Sequence, residues 1–333
     1  MAETSSINKL SLPLEQQDSD QLIKYLEEKY NMPNVKWWEE VHNTFQSLRN
    51  ILERGQDYIS NEEDDPESIS AQAARADALP LVTLLPSGSH ALHLTATNED
   101  LQCVAFGTIS AERYVDIFWE AVARIEDEGG NFMVYRIDSD RNIFWFNYEG
   151  YNCQLLYLHC EQLVRSCPGI IKVPDRDLQD ADTRTRKVVE GIKRDTNKRQ
   201  AYFSESYQKA SYYYLRAWTI AQGRYTSNER LTSARTLQFQ ELIKIMYTPT
   251  SKHQEKPALA MSYHISDIFQ NLDEKVLSRP PWPQPVRKID PDGGPAELLT
   301  VLQEAEAESL DSKLQMWVYI QVSVPSSLVC LLY

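Results

Sequence analysis

Two short stretches carry residue types suited to chemistry at a strand end. The apolar run Leu81–Leu85 leads into Pro86-Ser87-Gly88-Ser89, and Asp100-Leu101-Gln102 opens a second apolar run. Residues i and i+2 of a strand point to the same face, so an acid at each position forms half of a metal site. Mg²⁺ takes hard oxygen ligands in a near-octahedral array, and carboxylates supply charge that an amide lacks. The chemistry such a site serves is metal-assisted displacement at a phosphate, where the ion offsets developing charge. Here Asp100 holds the first position and Gln102 the second. A Gln oxygen is able to ligate a metal, but without the negative charge that makes such a site strong.

The stretch from Gly88-Ser89-His90-Ala91-Leu92 through Asp100-Leu101-Gln102-Cys103-Val104-Ala105-Phe106-Gly107 resembles the catalytic region of poly(A) polymerases. That family carries Gly-Ser-x-x-Leu followed by an Asp-Ile-Asp strand. Its third metal-binding Asp lies on a later strand shortly after a Gly, where this chain reads Gly150-Tyr151-Asn152-Cys153-Gln154. The resemblance thus assigns Asp100, Gln102 and Gln154 to the catalytic positions, with amides at two of three carboxylate sites. Downstream, Tyr214-Leu215-Arg216-Ala217-Trp218 through Gly223-Arg224-Tyr225 is similar to the helix of the family's central domain. It implies Gly88, Ser89, Arg216 and Tyr225 as nucleotide-binding residues, with Arg216 at a Lys that contacts ATP phosphates. An Arg there keeps the charge and grips phosphate bidentately. Where the family has a glycine-rich turn, this chain reads Asn228-Glu229-Arg230-Leu231-Thr232-Ser233-Ala234. His93 stands where the family commonly has Gly, which would crowd a triphosphate.

These residues need a scaffold, and the hydrophobic pattern supplies one. A helix begins at Asp20, and a second runs from Val35 to Tyr58 with Trp37, Val41, Phe45, Leu48 and Leu52 at three-and-four spacing. A further helix is expected over Ser70–Ala78. Strands Leu81–Leu85 and Leu101–Phe106 flank the Gly-Ser turn and a short helix. A helix over Ala111–Glu128 follows, then strands Asn131–Ile137, Asn142–Asn147 and Tyr151–Leu158. Helix and strand in alternation with a late meander predict an α/β or α+β sheet domain; the resemblance implies an α+β fold, a nucleotidyltransferase-like mixed sheet followed by a helical central domain. The expected division is a loose N-terminus at 1–19, the sheet domain at 20–175 and the helical domain at 176–278. A Pro-rich linker at 279–295 and a short segment at 296–333 close the chain. That segment holds a helix, Ala296–Ala307, and strand-like Met316–Val324, and its apolar close, Val318–Tyr333, reads as strand material or a truncated domain rather than an anchor.

At 333 residues the chain has room for two cores, and its net charge of −14 argues against unaided tight binding of nucleic acid. Lys193, Arg194, Lys198, Arg199 and Lys209 are interleaved with Tyr202, Phe203, Tyr207, Tyr212, Tyr213 and Tyr214. That alternation suits a single-stranded RNA, while the plainer alternative is a solvated helix with an aromatic core face. Cys153, Cys160 and Cys167 recur every seven residues beside His159, yet no Cys-x-x-Cys pair supports zinc, and reduced thiols are expected. No run approaches a membrane span and no signal peptide is recognised, so an intracellular protein of nucleus or cytoplasm is expected.

Three functions stay open. The first is a poly(A) polymerase-like protein with degraded chemistry that retains ATP or RNA binding. The second is an active adenylyltransferase acting on RNA 3′ ends with ATP and Mg²⁺ or Mn²⁺, pairing Asp100 with Glu99 or Glu149. The third is a scaffold for a protein partner. Taken alone, Gly88-Ser89 also fits an ordinary strand-to-helix turn, Gln102 and Gln154 fit surface amides, and His90 and His93 fit packing or solvent roles.

Overall fold

The computed structural model describes residues 8–53, 82–166, 178, 181–202, 206–223, 239–246, 260–275 and 287–323. The chain forms two compact units, one of residues 33–204 and one of residues 1–32 with 205–333.

The first unit is built on a five-stranded sheet of order β1-β2-β5-β4-β3. Its strands are β1 (Val82–Pro86), β2 (Leu101–Gly107), β3 (Phe132–Asp138), β4 (Ile143–Tyr148) and β5 (Tyr151–His159). The β2–β5 pair is parallel and the other three are antiparallel, which makes the sheet mixed. One face packs beneath α2 (Val35–Glu53) and α4 (Ala111–Asp127), with α3 (Gly88–Leu92) between β1 and β2. The three-and-four spacing in α2 buries Val41, Phe45, Leu48 and Leu52, each worth roughly 1.5–3 kcal/mol when removed from water. Ser110 caps α4, accepting from Arg113 N at 3.3 Å, and Tyr114, Ile117, Phe118, Ala121, Val122 and Ile125 form its buried stripe. Aromatic rings fill the space between: Tyr114 stacks on Tyr157 at 3.9 Å, and Phe132 on Phe146 at 4.7 Å.

The opposite face carries a second core of Val104, Phe106, Leu158, Leu163 and Val164. Val189 and Ile192 join it from α6 (Thr183–Tyr202), while Leu163 and Val164 come from α5 (Glu161–Ser166). Alternation along β2 and β5 therefore sends Cys103 and Cys153 to one core, and Val104 and Leu158 to the other.

The second unit is helical. It contains α1 (Asn8–Tyr30), α7 (Ser206–Ala221), α8 (Phe239–Met246), α9 (Ala260–Lys275) and α10 (Gly294–Ser323). Leu22, Leu26, Tyr212, Tyr214, Leu215, Trp218, Ile265, Leu298 and Leu302 are buried there. The described residues thus group α1 with the C-terminal helices and keep α6 with the sheet, a different division from the expected boundaries at 20 and 175.

Strand positions match the sequence expectation to within a residue or two at their ends. Two elements differ. The first helix starts at Asn8 rather than Asp20. The strand-like Met316–Val324 is helical through Ser323, because no Gly or Pro interrupts the chain between Pro295 and Pro325. The expected helix over Ser70–Ala78 lies outside the described residues, as do residues 54–58 of the second helix.

Candidate functional site

The Gly-Ser turn and the ends of β2 and β5 meet at one place. Gly88 has φ +54°, a left-handed conformation that costs an ordinary residue energy and glycine little. A Cβ at Gly88 would lie 1.9 Å from Gln102 Oε1, so the Gln102 side chain occupies the space that the missing methyl leaves. The backbone ties the turn to the same glutamine: Ser87 N donates to Gln102 O at 2.9 Å. His90 Nδ1 lies 3.2 Å from that carbonyl, which only accepts, so the ring proton sits on Nδ1. Burial lowers the His90 imidazole to about 4, so it is neutral near pH 7.

Gln102 and Gln154 are direct partners in the parallel β2–β5 ladder, and Gln102 Nε2 donates to Gln154 Oε1 at 3.5 Å. The two amide positions expected from sequence are therefore brought together side by side. Asp100 precedes them at the entry to β2, partly buried. Burial raises its carboxyl above the ordinary value, and the adjacent Glu99 carboxylate raises it further. Glu99 Oε2 accepts from Ala96 N at 3.2 Å, and Glu149 Oε1 accepts from Asn131 N at 3.0 Å. Both alternative acids thus bind local backbone, Glu149 at the start of β3.

Ser89 is buried, with Oγ 3.0 Å from Thr95 Oγ1. His93 closes α3 at φ 58°, taking the left-handed cap conformation that favours glycine. Its ring stacks on Trp38 at 5.0 Å, and His90 meets Phe45 edge-on at 4.9 Å. His90 is thus packed in the interior, while His93 is exposed and lies flat against Trp38.

The residues expected in the helical domain have other surroundings. Arg216 is 3 % exposed and its Nη1 donates to Tyr30 O at 2.8 Å, at the C-terminal end of α1. A cation at a helix C-terminus satisfies a carbonyl and complements the helix dipole. Tyr225 lies outside the described residues. Tyr212, Tyr213 and Tyr214 are core residues, so the aromatic half of the basic stretch packs inward at these positions. Tyr214 OH donates to Leu298 O at 3.0 Å.

The donor set does not suit a pair of divalent ions. At the strand ends stand one desolvated carboxyl, Asp100, and two amides already bonded to each other. Among the described residues no group of three or more His, Cys, Asp or Glu is arranged to hold a metal. Cys153 and Cys160 point into opposite cores, which separates the thiols of the seven-residue spacing, and Cys167 lies outside the described residues. Burial pushes the Cys153 thiol up to about 12.

Sequence reasoning missed one feature of this face. Trp145 is the antiparallel partner of Gln154, and Arg136 is the partner of Trp145, its guanidinium 4.6 Å from the ring centroid. The signal was present in the period-two alternation of Ile143, Trp145 and Asn147 against Phe144, Phe146 and Tyr148.

The fold is α+β, with a five-stranded mixed sheet and a separate set of helices. No family model matches the chain, and no curated protein matches it. Among solved structures, the chain is similar to a cytoplasmic RNA terminal U-transferase at 11% identity and TM-score 0.44, over 84% of this chain and 77% of that one. It is also similar to Cid1 in complex with the UTP analogue UMPNPP, at 12% identity and TM-score 0.41, over 77% and 73% of the two chains. A mutant of mtPAP in complex with ATPγS is similar at 11% identity and TM-score 0.38, over 72% and 61%. No helix among the described residues is long and apolar enough to cross a membrane.

Proposed function

We propose that this chain is a poly(A) polymerase-like, nucleotidyltransferase-fold protein whose strand-end site is weak or inactive in nucleotidyl transfer. The observation that carries this is the Gln102–Gln154 amide pair, set in register on parallel strands beside the Gly88 turn. Metal-assisted transfer needs charge at those positions, and amides supply none. A single carboxylate lost from such a site costs orders of magnitude in rate. Asp100 alone, desolvated and next to Glu99, is a poor anchor for two cations. What the site keeps is a shaped polar surface on a rigid sheet, fit for holding a nucleotide or an RNA end.

The test is primer extension on a short RNA with each nucleoside triphosphate, in Mg²⁺ and in Mn²⁺, against an Asp100→Ala control. The expected result is no extension above that control. Extension that disappears in the Asp100→Ala protein overturns the proposal and favours an active polynucleotide adenylyltransferase with Glu99 or Glu149 as the second acid.

A further inference from the structure

Four cross-strand partners form one row across the second face of the sheet. Arg136 pairs with Trp145, Trp145 with Gln154, and Gln154 with Gln102, so the row crosses β3, β4, β5 and β2. Contacts confirm that the side chains share the face: the guanidinium lies over the indole, and the two amides are bonded. The row sits one pleat before Val104 and Leu156, which belong to the core under α5 and α6. Trp145, Gln154 and Gln102 are half-buried, while the Arg136 side chain is 43 % exposed.

The row's chemistry is close to neutral. Its one cation, Arg136, is engaged with the Trp145 ring and lies 3.9 Å from Asp138. Asp100 and Glu99 stand at the Gln end. A triphosphate laid there brings several negative charges toward two carboxyls, and the described residues offer no metal-ligand set to neutralise them. An uncharged heterocycle meets no such conflict. Amides offer a donor and an acceptor side by side, which matches the edge of a nucleobase, and adenine takes Gln bidentately. An indole beside them offers a stacking surface. The Gln102–Gln154 bond at 3.5 Å uses one donor and one acceptor, and each amide has further capacity.

Building on the inactive-site proposal above, we propose that this row binds a nucleoside, without a divalent metal and without using a triphosphate. The base stacks over the Trp145–Arg136 pair and its edge is read by the Gln154 and Gln102 amides.

The test is calorimetric binding of adenosine and of ATP to the full chain, each in excess Mg²⁺ and in EDTA. Trp145→Leu and Gln154→Leu are compared, with circular dichroism to confirm folding. The expected result is adenosine binding that EDTA leaves unchanged within about twofold, weakened roughly tenfold or more by each variant. ATP is expected to bind no more tightly than adenosine. Adenosine binding indifferent to both variants places the ligand elsewhere and overturns the inference, as does ATP binding that requires Mg²⁺. Absence of adenosine binding sinks this inference alone, whereas metal-dependent extension sinks the inactive-site proposal beneath it. If Trp145→Leu fails to fold, Trp145→Phe keeps the test: a stacked base then loses only part of its affinity.

Discussion

Gly88 and Gln102 are coupled through a missing methyl group. The left-handed backbone at Gly88 costs an L-residue about 1–2 kcal/mol, and an added Cβ would also displace the Gln102 side chain. Gly88→Ala is therefore expected to lower unfolding free energy by about 1–2 kcal/mol in denaturant titration. Adding Gln102→Ala relieves the contact but leaves the backbone strain, so the double variant stays less stable than Gln102→Ala alone. A second prediction tests the charge argument directly. Gln102→Asp with Gln154→Asp places two carboxylates on register partners beside Asp100. Like charges at that spacing repel, so the variant is expected to melt below the parent in EDTA and to recover with Mg²⁺ or Mn²⁺. The parent is expected to show no metal-dependent melting shift. A parent that gains stability with Mg²⁺ contradicts the reading of the amide pair. The turn and the Asp100-x-Gln102 strand were legible because both are local signals, fixed by glycine permissiveness and strand alternation. Arg216 was legible only as a charge. Its partner, the Tyr30 carbonyl, lies 186 residues away, and no local pattern announces it.

Among the elements, strands were read well because their alternation is set by two cores, one on each face of the sheet. The end of α10 was misread because Met316–Val322 is apolar and partly β-branched, a composition that strands and buried helices share. The α1–α10 contact was invisible in sequence, and it holds the polar cluster of the helical unit. Glu306 accepts from Tyr25 at 2.7 Å and also from Tyr30 and Lys29. Burial pushes the Glu306 carboxyl up, but Lys29, Tyr30 and Tyr25 outweigh it and hold the group below the usual carboxylate range. Hydrogen bonding to Glu306 raises Lys29 above its ordinary value, and burial followed by the same carboxylate raises Tyr30. The signs give a two-sided profile. A depressed carboxyl contributes stability above its unfolded value near 4.5, lost as pH falls through the folded value. A raised Lys contributes fully below 10.5 and loses it as pH rises through its folded value; Tyr30 loses its share above 10, where the unfolded phenol ionises. Glu306→Gln is thus expected to shift the urea midpoint down across neutral pH. The gap to the parent should close below pH 4.5 and narrow at alkaline pH. A gap that persists unchanged at pH 3 contradicts the assignment.

At the scale of the whole molecule, chain order and unit membership disagree, and this has a consequence for dissection. Residues 33–204 form one continuous stretch with two cores of their own, enough apolar material for an independent domain. The other unit is discontinuous: its α7 buries Arg216 against the end of α1, and its α10 meets α1 through Glu306. Removing residues 1–32 strips the Tyr30 carbonyl from the buried Arg216 guanidinium, and the loss of one buried hydrogen-bond partner costs about 1–3 kcal/mol. Leu22 and Leu26, both buried, go with it, and each leaves a void worth about 2–5 kcal/mol. Those losses together rival the whole stability of a typical domain. The fragment 33–204 is therefore expected to unfold cooperatively in urea, and 205–333 to show no cooperative transition. Joining residues 1–32 to 205–333 through a flexible linker should restore the transition. A cooperative 205–333 fragment would mean that α1 adds nothing essential to the helical core. The expected sheet-domain boundary at 20 followed sequence order, as local reasoning does. The Arg216–Tyr30 bond ties the first helix to α7, and the Glu306 cluster ties it to α10, both contacts far apart in sequence.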